Sequence, residues 1–181
     1  TVCGAGNVLF ENISWYRPRP LQARSHEWIS PMTVALRDID NDWLAGGRAM
    51  GRDVLRALGF HAGFTHMEWY RKDDGDVVFG EIGARPPGAR TVDVMNYATD
   101  GDLFRMWAEA VVSGTSTPLT RHYNAASIFK RAEGSGHISR VEGIDQLMAE
   151  YREKVCMLDL LPTGAHRRDW RANLISDAMI L

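Results

Sequence analysis

Apolar and polar positions along the chain fall into short blocks whose period changes from two to about 3.6 and back. Val8 to Tyr16 is strand-like, and Arg17-Pro18-Arg19-Pro20 closes it because two prolines remove ladder donors. Residues 17–41 carry no sustained period. From Asp42 to Leu58 the pattern predicts a helix: Leu44, Met50, Val54, Leu55 and Leu58 fall on one face, Asp40 or Asn41 can cap it, Gly59 stops it, and Gly46-Gly47 weakens its first half. Gly63 to Lys72 and Asp76 to Ile82 are rich in β-formers. Asp73-Asp74-Gly75 between them favours a tight type I′ turn, so a hairpin is expected.

Arg85-Pro86-Pro87-Gly88-Ala89-Arg90 reads as a loop, followed by a short helix over Val92 to Tyr97. A second helix, capped by Thr99 or Asp100, sets Leu103, Phe104, Trp107, Ala110 and Val111 on one face and ends at Ser113-Gly114. Ser116 to Thr120 looks like a junction. Beyond it Ala125–Arg131 and His137–Val141 are expected to pair around Glu133-Gly134-Ser135-Gly136. Ile144, Leu147, Met148 and Tyr151 mark a helix face, and Val155 to Leu161 a strand closed by Pro162-Thr163-Gly164. The apolar run Ala178–Leu181 has no evident partner.

Composition narrows the function classes. The 181 residues are 45% hydrophobic and 24% charged, as in an ordinary globular protein, and 21 basic against 23 acidic residues leave a net charge of −2. With a pI of 6.3 there is no basic field for nucleic acid. No apolar run approaches the roughly 20 residues of a membrane helix. Cys3 and Cys156 stand far apart and suggest reduced thiols in a cytoplasm rather than a disulfide scaffold. Only Lys72, Lys130 and Lys154 are lysines, so none precedes position 72.

The hairpin concentrates the chemistry. With Asp74-Gly75 as its two loop residues, cross-strand partners sum to 149: Asp73 faces Asp76, Tyr70 faces Phe79 and Glu68 faces Glu81. Period-two alternation gathers Phe64, His66, Glu68 and Tyr70 with Phe79, Glu81, Gly83 and Arg85 on one face. Directly opposed carboxylates destabilise a sheet, and a divalent cation such as Mg²⁺ would compensate them. The alternative is a solvated face neutralised by Arg71, Lys72 or Arg85. The apolar neighbours favour a partly buried cleft, where unpaired carboxylates are costly.

The stretch Gly59 to Glu68, the short strand and turn, and Gly80 to Gly88 with its Arg85-Pro86-Pro87-Gly88 ending resemble the carboxy-terminal catalytic portion of the ATP-grasp superfamily, over roughly residues 1–114. The resemblance implies an enzyme: a ligase that activates a small-molecule carboxylate as an acyl phosphate with ATP and joins it to an amine. It implies Glu68 and Glu81 as ligands of Mg²⁺ or Mn²⁺ and Arg85 as the catalytic clamp on the γ-phosphate and acyl phosphate; His66 is the candidate substrate contact. Two positions depart from the family pattern. Gly83 stands where many members carry a metal-binding Asn, and Ala89 stands where biotin-dependent carboxylases carry a Glu base.

Lysines of an earlier lid bind the α- and β-phosphates in this family. Their absence before Lys72 suggests that most of the lid and the substrate domain are missing and that the chain is part of a longer ligase. A non-catalytic binding or assembly module that keeps the fold is the second reading, and a metal-dependent nuclease or phosphatase a weaker third. The expected fold is α+β, an antiparallel sheet with helices packed on one face, over 1–119, plus a small α/β extension over 120–181. The protein is expected in the cytoplasm, without membrane or nucleic-acid partners, and a homodimer is left open.

Other signals are weak. Asp38-Ile39-Asp40-Asn41-Asp42 lacks the glycine and glutamate of a calcium loop, and Gly4-Ala5-Gly6 lacks the third glycine of a dinucleotide fingerprint. No His-x-x-x-His pair occurs, so the spacing gives no zinc signal.

Overall fold

A computed structural model of the chain describes residues 1–172 and 177–181. They form two compact units, one of residues Thr1–Ile13 and Ala35–Asn124, the other of Ser14–Val34 and Ala125–Leu181. The second unit thus gathers residues 14–34 as well as the carboxy-terminal third, where a single cut between 119 and 120 would have left them in the first. Strand pairing explains the grouping, because a strand from this segment lies beside one from the last third.

In the first unit, β1 (Val2–Gly4) is the middle strand of a three-stranded antiparallel sheet, between β2 (Asn7–Phe10) and β5 (Gly63–Phe64). The expected strand Val8–Tyr16 is therefore two: β2 ends at Phe10, and β3 (Ser14–Arg17) belongs to the other unit. Between them Glu11 turns to the guanidinium groups of Arg48 and Arg52, with Arg52 Nη2 at 2.8 Å. A half-buried carboxylate bound by two guanidiniums is a strong local anchor.

Helix α2 (Asp42–Ala57) matches the pattern that predicted it. Asn41 caps it by accepting from the Leu44 amide at 3.1 Å. Leu44, Gly47 and Leu55 are its buried residues, whereas Leu58, assigned to the same face, is 61% exposed just past the last turn. The glycine pair has a positive use. A Cβ at Gly47 would lie 2.4 Å from the Trp69 ring, and one at Gly46 3.4 Å from Val77, so the bare backbone admits the back of the hairpin.

Helices α3 (Thr91–Thr99) and α4 (Leu103–Ser113) close the core with Val2, Phe10 and Phe64, through Val92, Met95, Leu103, Met106 and Ala110. The cap of α4 is Asp102, whose carboxylate accepts from the Phe104 and Arg105 amides at 3.0 Å, rather than Thr99 or Asp100. Its buried stripe runs through Leu103, Met106 and Ala110, so Phe104, at 49% exposure, and Val111 face outward, contrary to the expected face.

In the second unit a five-stranded sheet runs in the order β3, β4 (Met32–Ala35), β8 (Ala125–Lys130), β10 (Ala178–Ile180), β9 (Leu158–Leu160). The apolar terminal run is thus an interior strand, antiparallel to both β8 and β9. The expected pairing of Ala125–Arg131 with His137–Val141 does not form. Residues 137–141 make a single bridge, His137 to His166, because β8 is taken by β4 and β10. A short helix α1 (Pro20–Ser25) and the helix α5 (Ile144–Tyr151) also belong to the unit. The buried Asp177 carboxylate accepts from the amides of Ala132 at 2.8 Å and Arg168 at 2.6 Å. Among the described residues no helix is long and apolar enough to cross a membrane.

Candidate active site

The hairpin is made of β6 (His66–Arg71) and β7 (Val77–Gly83), and it pairs Glu68 with Glu81 and His66 with Gly83. The route to that register differs from the one the sequence suggests. The turn holds three residues, 73–75, closed by Lys72 and Asp76 through an amide-to-carbonyl bond of 2.8 Å, so Asp73 does not face Asp76. Partners near the turn therefore sum to 148: Arg71 with Val77, Tyr70 with Val78, Trp69 with Phe79. A bulge between Glu68 and Trp69 leaves Gly80 as the extra residue of β7 and restores the sum of 149 beyond it. A Cβ at Gly80 would sit 2.9 Å from the Glu68 carbonyl oxygen and 3.0 Å from the Tyr70 ring, which explains glycine at the bulge. Two one-residue errors cancel at the acid pair.

Sidedness follows from packing. Met67 and Trp69 reach Gly51 and Gly47 of α2, so alternation turns His66 and Glu68 to the opposite face, and Glu81 with them as the partner of Glu68. The apolar surroundings differ from those expected. Phe64 lies in the core as part of β5, the bulge puts Phe79 on the Trp69 side, and Tyr70 is 54% exposed. The acids therefore line an open face, Glu68 half-buried and Glu81 exposed.

Two of the three basic residues that could have neutralised this face are engaged elsewhere. Lys72 Nζ lies 3.1 Å from Asp76 Oδ2, and the Arg71 guanidinium stacks 5.4 Å from the Trp43 ring centroid. Among the described residues neither the Glu68 nor the Glu81 carboxylate makes a hydrogen bond or ion pair. Arg85, two residues past the end of β7, is exposed and among the described residues gives only one donor, to the Pro86 carbonyl at 2.9 Å. Burial lowers the pKa of His66; Glu68 and Glu81 act against that and Arg85 with it, so the four predicted site residues share one electrostatic neighbourhood.

This donor set suits one kind of metal. No group of three or more His, Cys, Asp and Glu side chains is placed to hold an ion among the described residues. A hard cation that takes one or two carboxylates and completes its shell with water and phosphate oxygens fits an open pair of opposed, unpartnered carboxylates. Gly83, opposite His66, offers no side-chain oxygen, so the two glutamates are the whole protein contribution on this hairpin.

No family model and no curated protein matches the sequence. Among solved structures, the crystal structure of L-amino acid ligase from Bacillus licheniformis matches with a TM-score of 0.73 at 17% identity, over 99% of this chain and 46% of that one. The chain thus spans about half the length of that ligase. At this identity the likeness is one of fold, and it agrees with the α+β architecture of antiparallel strands and helices expected from the sequence.

Proposed function

We propose that the Glu68/Glu81/Arg85 face binds Mg·ATP and serves an ATP-dependent ligation of a carboxylate to an amine. The observation that carries this reading is the pair of facing carboxylates, unpartnered on a hairpin whose reverse side is fixed against α2, with a guanidinium that keeps unused donors just beyond. The ATP-grasp-like fold supports the nucleotide and the ligase class.

Glu68 and Glu81 would hold Mg²⁺ or Mn²⁺, which supplies neutralisation of phosphate charge and alignment of the γ-phosphoryl group. Arg85 presents unused guanidinium donors to the phosphoryl oxygens, a planar fork suited to charge that spreads as the bond to ADP breaks. In the first step a substrate carboxylate oxygen attacks the γ-phosphorus and ADP leaves. In the second an amine nitrogen attacks the acyl carbon, phosphate departs, and the nitrogen loses a proton. His66, on the acids' face and lowered in pKa by burial, contacts the substrate there. The small-molecule carboxylate and amine, a cytoplasmic setting and a homodimer all belong to this proposal.

The test is phosphate release by the full-length gene product with Mg·ATP and a panel of amino acids, alone and in pairs. Release that depends on two substrates and falls by about 10² or more in Arg85→Ala supports the ligase. Tight Mg·ATP binding without turnover on any pair would instead identify a binding module, the reading favoured by Gly83 in place of a third ligand.

A further inference from the structure

In the second unit, away from any role in the proposed ligation, two histidines distant in sequence meet. His137 and His166 form an isolated antiparallel bridge, both are exposed, and their ring centroids are 5.1 Å apart with planes at 70°. Backbone bonds on both sides hold the bridge. The Ile138 amide donates to Ala165 O at 2.8 Å, the Gly164 amide to Ile138 O at 2.8 Å, and the Arg167 amide to Gly136 O at 2.9 Å. The rings therefore stand on a fixed piece of ladder.

We propose that His137 and His166 form a two-imidazole site for a borderline divalent transition ion such as Zn²⁺. Three observations bear on it. First, an imidazole centroid lies about 3.2 Å from an ion held at a Zn–N distance of about 2.05 Å, so two imidazoles at the tetrahedral angle have centroids about 5.2 Å apart. The observed 5.1 Å matches the separation that two imidazoles on one ion require.

Second, His166 Nδ1 lies 2.9 Å from the Arg167 carbonyl oxygen. A carbonyl only accepts, so this contact places the proton on Nδ1 and leaves Nε2 with its lone pair, the arrangement by which backbone carbonyls orient metal-bound histidines. Third, the neighbouring Arg167 is held elsewhere by its Nη1, which is bound to Glu27 Oε1 at 2.6 Å and to the Gly134 carbonyl. No third His, Cys, Asp or Glu joins the pair among the described residues, so the remaining positions stay open to water or to a ligand brought by a bound molecule. Imidazole nitrogen selects zinc, nickel or copper over magnesium, which separates this site chemically from the carboxylate hairpin.

Zinc alone, titrated into the chain by calorimetry with the histidine ring signals followed by NMR, tests the assignment. The expected result is one equivalent bound, with the His137 and His166 signals moving together and no competition from excess Mg²⁺. His137→Gln and His166→Gln, both at exposed positions and checked for unchanged circular dichroism, should each weaken binding by more than about tenfold. The proposal is overturned if those two signals stay fixed at zinc saturation, if either variant binds as the parent does, or if binding follows Cys156 or the Glu68/Glu81 pair instead. The His137 and His166 signals and variants do not report on ATP binding, so the ligase reading stands or falls separately.

Discussion

At Gly80 the extra residue of one strand decides which side chain meets Glu68. Without the bulge the three-residue turn would pair Glu68 with Gly80 and leave Glu81 on the other face, because a one-residue slip inverts a strand. Gly80→Ala brings a methyl to 2.9 Å from the Glu68 backbone oxygen. It should weaken Mg·ATP binding while circular dichroism stays that of the parent, since only the end of the hairpin must shift. The acid pair makes a sharper prediction, with opposite signs in two measurements. Opposed like charges cost about 0.2–1 kcal/mol, so Glu81→Gln should raise stability in metal-free urea unfolding by up to that amount and abolish metal-dependent ATP binding. A loss of stability would mean that the carboxylate has a structural partner.

Among the elements, α2 and the hairpin were legible in the sequence because their signals are local: a capped, periodic stretch of 16 residues and β-formers around an Asp-Gly turn. Elements whose identity depends on a distant partner were not. Residues 17–41 hold a six-residue helix and a four-residue strand, too short to show a period, and β10 looked like an orphan until β8 and β9 flanked it. Of the site, the Glu68/Glu81 opposition was legible, but its open surroundings were not. That needed the break at Thr65, which sends Phe64 to the core, and the bulge, which turns Phe79 away. The glycines of α2 lower its helix propensity, and what the sequence alone does not show is that they are also contact positions. Gly47→Ala should therefore destabilise the fold by about 1–3 kcal/mol in chemical denaturation despite alanine's better helix propensity, because Trp69 occupies the space. Equal or greater stability would mean that the helix does not rest on the hairpin.

On the scale of the whole molecule, the chain crosses between two units three times, and no local pattern announces such crossings. Each unit has its own buried determinants. Asp177→Ala would strand two backbone amides in the second unit and should cost about 2 kcal/mol or more there, with Mg·ATP binding on the hairpin unchanged. A parallel loss of nucleotide binding in that variant would show that the site is not confined to the first unit. The central claim is that Glu68, Glu81 and Arg85 form one metal-nucleotide face. Paramagnetic broadening by Mn²⁺ with ATP, read on the backbone amides of this chain, tests it most directly. The expected result is broadening centred on residues 66–69 and 81–85 that requires ATP and disappears in the Glu68→Gln, Glu81→Gln double variant. Broadening that is absent, or that survives in the double variant, would contradict the assignment.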